Sequence, residues 1–198
     1  MIYIPTDLSI VVQQLQVSHF PSQVEVLSNS QHFSAYPQQL KYGTEHPDLM
    51  YSQKAGYYAI YFDEPRLEVS GSISQFNQGK ILVFQGNPQE AENAINTDYK
   101  DIGPVYSLSS SDSLVVPTGL VLIRFSSEVT VNSRQEEIEK AGYQMFKKIN
   151  YAPNAAWLTA KSGKISDSLL KISYLEAISD VENVEPQMLQ NRYNRHNL

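Results

Sequence analysis

The chain has 198 residues, a formal net charge of -6, and 41% hydrophobic and 11% aromatic residues. That length fits one large domain or two small ones, and the apolar content is enough for a packed core. It has no cysteine, which excludes disulfides, thiolate metal sites and a cysteine nucleophile. No apolar run approaches about 20 residues, so no transmembrane helix is expected. Met1–Asp7 lacks a basic segment followed by a long apolar one, so a secretory signal is not expected either and a cytoplasmic location is. Residues 1–110 carry 5 Lys and Arg against 11 Asp and Glu, and residues 111–198 carry 10 against 10. This acidic-then-balanced distribution argues against a nucleic-acid footprint.

In chain order, Leu8–Val17 fits either a helix or a strand. Residues 28–48 are loop-like, with Pro37, Gly43 and Pro47 as breakers. Three strands are predicted at Gly56–Phe62, Leu67–Phe76 and Lys80–Gln85, with Asn77-Gln-Gly79 as a hairpin turn. Asn87 is placed to cap a short helix over Pro88–Ile95. These elements predict a small N-terminal α+β domain with an antiparallel sheet. Ser107–Ser113 followed by Pro117-Thr-Gly119 is the best linker, and the domain boundary is drawn near residue 112, giving 1–112 and 113–198; the alternative is a surface loop within one domain.

The second part reads strand, helix, strand, strand, helix, strand. Val121–Phe125 is rich in strand-favouring residues. Ser133–Glu136 matches a capping box, and Gly142 suits a left-handed helix end. Met145–Ile149 and Ala155–Thr159 are predicted strands around an Asn150–Asn154 turn containing Pro153. Ser166 or Asp167 is placed to cap a helix whose apolar positions are Leu169, Ile172, Leu175 and Ile178. Asp180–Pro186 is the last predicted strand, with Pro186 expected to end its ladder.

Val121-Leu-Ile-Arg-Phe125, Gly142-Tyr143, Tyr151-Ala-Pro-Asn-Ala155 and Asp180-Val-Glu-Asn-Val-Glu-Pro186, in that order, resemble the propeptides of subtilisin-like serine proteases. The resemblance is to the propeptide-like peptidase-inhibitor family, and within it to the propeptides of calcium-dependent members. It covers a little over a third of the chain. It implies a ferredoxin-like βαββαβ domain with a four-stranded antiparallel sheet, so that the fold class is α+β throughout. It also implies that the uncovered sheet face packs on the protease and that the segment from Gln187 onward lies in the active-site cleft.

On this resemblance Glu185 would cap a helix N-terminus of the protease; the alternative is a solvated charge at a strand end. The tail residues expected to touch the protease are Gln187, Met188, Leu189, Arg192, Tyr193 and Arg195. The alternative for this tail is plain disorder. Trp157 is either a docking anchor or a core residue. No protease nucleophile segment or Gly-x-Ser-x-Gly elbow is present, so a stand-alone inhibitor or chaperone is implied and no catalytic activity is expected. His19, His32, His46 and His196 match no zinc motif, and no phosphate-cradling loop is seen, so no cofactor or metal is expected. The expected partner is therefore a subtilisin-like serine protease, with neither nucleic acid nor membrane. The rival is a binding or scaffold module without inhibitory action. Tyr57, Tyr58 and Tyr61 read as half-buried strand residues.

Overall fold

The computed structural model describes residues 32–66, 69–89, 99–109, 111 and 113–190. The predicted Leu8–Val17 element, most of the Pro88–Ile95 helix and residue 112 lie outside these. Asn87 does act as a cap: the Gln89 N–H donates to Asn87 Oδ1 at 3.0 Å.

Nine strands occur among the described residues: β1 (Gln39–Lys41), β2 (Met50–Tyr61), β3 (Ser72–Phe76), β4 (Ile81–Gln85), β5 (Asp101–Leu108), β6 (Val115–Phe125), β7 (Tyr143–Ile149), β8 (Ala152–Ala160) and β9 (Val181–Gln190). They form one sheet in the order β3-β4-β2-β5-β6-β8-β7, with β1 added to β2 and β9 added to β6. Every pairing is antiparallel. The helices are short: α1 (Gln135–Lys140), α2 (Ile165–Leu170) and α3 (Ile172–Glu176).

This overturns the expected fold class. Among the described residues the secondary structure is mostly β, in one large antiparallel sheet with short helices, and not an α+β arrangement built on a separate ferredoxin-like four-stranded sheet. The physical reason lies in β6 and β9. β6 starts at Val115, earlier than the predicted Val121, and its first residue bridges to Tyr106 of β5. Pro117-Thr-Gly119, read as linker, sits inside β6, and Ser107–Leu108 sits inside β5. β9 runs past Pro186 to Gln190. Proline is tolerated there because β9 has a single strand neighbour among the described residues, so the missing N–H breaks no second ladder there.

Other boundaries differ for local reasons. The cap before α1 is Thr130, whose side chain accepts from the Ser133 N–H across a 3-10 turn over Val131–Arg134, rather than the predicted Ser133. The β7–β8 turn is confined to Asn150 and Tyr151, so Pro153 lies in β8. The second predicted helix is broken at Lys171 into α2 and α3. Neither Ser166 nor Asp167 caps it; the N-cap position is Lys164, without a side-chain cap bond. The β3–β4 hairpin does turn at Asn77-Gln-Gly79, all three with positive φ.

Alternation along β6 fills two apolar clusters. Val115 and Val116 join a cluster with Tyr58, Ile60 and Val105, and α2 contributes Ile165 and Leu169. Val121, Ile123 and Phe125 join a second cluster with Ile138 of α1, Leu158 and Leu175 of α3. Tyr58 and Tyr61 are buried in the first cluster, where Tyr58 stacks on Phe84. Helices of five or six residues hold little helical stability in isolation, so these owe their form to the sheet beneath them.

Gly119 permits the bend between the two parts of β6. Its φ is +83°, and an added Cβ would lie 3.1 Å from Ile165 Cγ1. Replacement by alanine combines a left-handed backbone with a tight contact. Gly119→Ala is expected to destabilise the fold by about 1–3 kcal/mol, measured by urea unfolding.

Candidate functional site

Two surfaces concentrate functional potential, and the first holds the residues singled out by sequence. In β6, Val121, Ile123 and Phe125 are buried under the helices, whereas Leu122 and Arg124 face the other way and remain half-exposed. Leu122 sits opposite Trp157 of β8 and opposite Glu185 of β9. Trp157 in turn sits opposite Lys147 of β7. A row Glu185–Leu122–Trp157–Lys147 thus crosses the sheet on the side away from the helices. Trp157 is half-buried and belongs to this face, not to the core under the helices. It lines a hollow of about 270 Å³ with Lys147, Lys148 and Tyr151. Tyr151 is 92% exposed and Phe146 61%.

The Glu185 end of this row is closed by the chain itself. The turn after β1 folds over β9: the Thr44 N–H donates to Asn183 Oδ1 at 3.1 Å, and the Val184 N–H donates to Thr44 Oγ1 at 3.2 Å. Arg124 pairs with Glu45 and reaches Glu182 at 3.8 Å. Gly43 lies close enough that a Cβ there would be 3.6 Å from Glu185 Cβ. Burial pushes the Glu185 carboxyl above its ordinary range and Glu45 adds to the rise, while Asn183 and His46 oppose it. Glu185 is therefore neither a solvated strand end nor the chain's last paired residue. Gln187, Met188 and Leu189 are likewise not a free arm. They belong to β9, where Met188 pairs with Pro117 and Leu189 with Val116, and both pack against the first cluster. Arg192, Tyr193 and Arg195 lie outside the described residues.

The second surface was not legible in the sequence. One edge of β6 is shared by two strands: β5 meets it at Val115 and β8 from Val121 to Arg124. Between those points the sheet forks. A cleft of about 710 Å³ opens at the fork, lined among others by Lys80, Lys100, Lys164, Leu120 and Phe146. The buried Tyr61 hydroxyl donates to the Pro117 carbonyl at 2.9 Å, satisfying backbone at the base of the fork. Thr118 Oγ1 donates to Gln187 Oε1 at 2.8 Å. Lys80 Nζ donates to the Asp63 carbonyl at 2.6 Å, and Lys100 Nζ lies 3.7 Å from Asp63 Oδ1.

Lys100 and Lys164 also line a neighbouring hollow of about 440 Å³ that contains Tyr36 and Asp101. The Tyr36 hydroxyl donates to Asp101 Oδ2 at 2.9 Å. Burial pushes the Asp101 carboxyl above its ordinary value; the Tyr36 bond and the two lysines pull the other way without overcoming it. The Tyr36 phenol is pushed far up by the same burial and by Tyr61 and Asp101. Lys80, Lys100 and Lys164 are separated by scores of residues, so only the strand order brings them together. No grouping of three or more His, Asp or Glu side chains suited to a metal occurs among the described residues.

No protein-family model matches the chain, and no curated protein or solved structure matches it either. Among the described residues no helix is long and apolar enough to cross a membrane.

The raised Asp101 carboxyl gives a pH test. A group held above its unfolded value, here 3.8, contributes stability that is fully present below that value and is lost as pH rises through the raised one. Wild type is expected to lose stability relative to Asp101→Asn as the pH is raised from about 3 to about 7, followed by thermal melts. Parallel pH profiles for the two proteins would contradict the assignment.

Proposed function

We propose that this chain is a protein partner of a subtilisin-like serine protease, acting as an inhibitor or as an intramolecular-chaperone-like protein. It works without catalysis of its own, in the cytoplasm, on a protease of the calcium-dependent kind. The observation that carries the reading is the row Leu122–Trp157 on the sheet side that the helices leave uncovered. An aromatic anchor at the centre of such a face, with Phe146 and Tyr151 exposed nearby, has the makeup of a protein-docking hot spot. The ordered resemblance of residues 121–186 to protease propeptides supplies the class of partner.

In this reading the sheet face provides the buried apolar area, and residues 191–198 occupy the protease cleft. β9 is paired to β6 along most of its length, so a segment starting at residue 191 leaves from a fixed point. Less ordering entropy is lost than for a free peptide of the same sequence. The 43–46 turn lies against Glu185 and narrows its access to a protease helix. That narrowing favours the second reading, a binding module that docks without inhibiting.

The test is inhibition of a calcium-dependent subtilisin-like protease by three proteins: the full chain, a chain ending at Gln190, and Trp157→Ala. Ending at Gln190 keeps β9 whole, whereas ending at Gln187 would remove Met188 and Leu189 from the first cluster. The full chain is expected to inhibit, and the shortened chain to be at least tenfold weaker. Trp157→Ala is expected to cost about 2 kcal/mol or more of binding. Equal potency of the full and shortened chains would reject the tail mechanism, and binding without inhibition would establish the second reading.

A further inference from the structure

We propose that the cleft at the fork in the sheet is a binding site for a small phosphate monoester that carries a flat apolar group. This goes beyond the docking role and does not depend on it. The position is the first argument. The cleft lies where β5 and β8 part company along one edge of β6, a place at which a sheet leaves a crevice between diverging strands. Its volume, about 710 Å³, falls within the range of small-molecule sites.

Charge is the second argument. Lys80, Lys100 and Lys164 contribute three positive charges to the walls and Asp63 one negative charge, a surplus of two. This surplus sits in a chain whose net charge is -6. Asp63 is already engaged, through its carbonyl with Lys80 and through its carboxylate with Lys100. Lys164 has no ion-pair partner within 4 Å among the described residues, although Asp101 and Asp167 both lie near enough to feel its charge. A phosphate monoester carries about -1.5 to -2 at neutral pH, which matches the surplus, and lysine ammonium groups are suited to phosphate as point charges. A monocarboxylate would leave one positive charge uncompensated.

The remaining walls specify the rest of the ligand. Leu120, Ile165 and Leu189 supply aliphatic surface, and the rings of Phe62 and Phe146 border the same space. Phe146 is 61% exposed, so its ring is accessible to a ligand in the cleft. A flat apolar group lying against Phe146, with its phosphate toward the lysines, satisfies both parts of the lining.

The test uses the full chain and phenyl phosphate as probe, titrated by isothermal calorimetry at low ionic strength. Inorganic phosphate and benzoate serve as the arms that separate the anion from the ring and the dianion from the monoanion. Phenyl phosphate is expected to bind, with inorganic phosphate and benzoate each at least tenfold weaker. Lys100→Met and Lys164→Met are each expected to weaken phenyl phosphate at least tenfold. Lys140→Met, on α1 and outside the cleft, is expected to leave it unchanged. Both cleft lysines are exposed, so the substitutions should fold, which circular dichroism checks. Absence of phenyl phosphate binding at millimolar concentration, equal binding of benzoate, or undiminished binding by both lysine variants would overturn the proposal.

Discussion

The backbone hydrogen bonding of β6 is the constraint on which this structure depends. One strand of eleven residues, Val115–Phe125, is paired to β9 along one edge and to β5 and then β8 along the other. Its side chains enter both apolar clusters, Val115 and Val116 in one and Val121, Ile123 and Phe125 in the other. Removing β6 would leave a sheet around β2 and a sheet around β8 with no strand pairing to join them. Gly119 lets a single strand serve both, because its positive φ turns the pleat between the two sets of partners.

The same handover creates both surfaces of interest. Where β8 has joined, alternation leaves Leu122 and Trp157 on the side away from α1 and α3. Where neither β5 nor β8 is paired, the gap becomes the lysine-rimmed cleft. Leu120 and Gln187 lie at the border between the two, so the docking face and the cleft share a boundary. The 43–46 turn then seals the opposite end of the face through Thr44 and Glu45. The arrangement therefore has one open side, running from Leu122 through Trp157 to the exposed β7 edge with Lys147 and Lys148. Charged residues on an edge strand also discourage unwanted strand pairing there.

Local patterning announced much of this and failed where long-range pairing decided. The order of strands and helices between residues 115 and 190 follows from apolar periodicity and from Gly142, and the β3–β4 hairpin from Asn77-Gln-Gly79. Proline and serine misled the rest. Pro117 and Pro186 read as breaks, yet they face each other's strands in the β6–β9 pair. Ser107 reads as linker, yet it continues β5 opposite Ser52 of β2. Those misreadings hide the continuity of the sheet from β5 to β6 and turn the end of β9 into an arm. The cleft left no local signal at all, since Lys80, Lys100 and Lys164 belong to three different connecting segments. Trp157 was identifiable as an anchor but not its side of the sheet, because the alternation of β8 depends on which residues β6 offers.

The Thr44–Val184 contact spans 140 residues, and β9 reaches β6 across α1, β7, β8 and α2–α3. During synthesis β6 leaves the ribosome with one margin bare and keeps it so until Gln190 has emerged. Along that margin the largely apolar Val115–Phe125 is then open to wrong partners for the whole interval. Such high contact order makes completion of this protein a slow, late event, and places its greatest need for chaperone protection while translation is still under way.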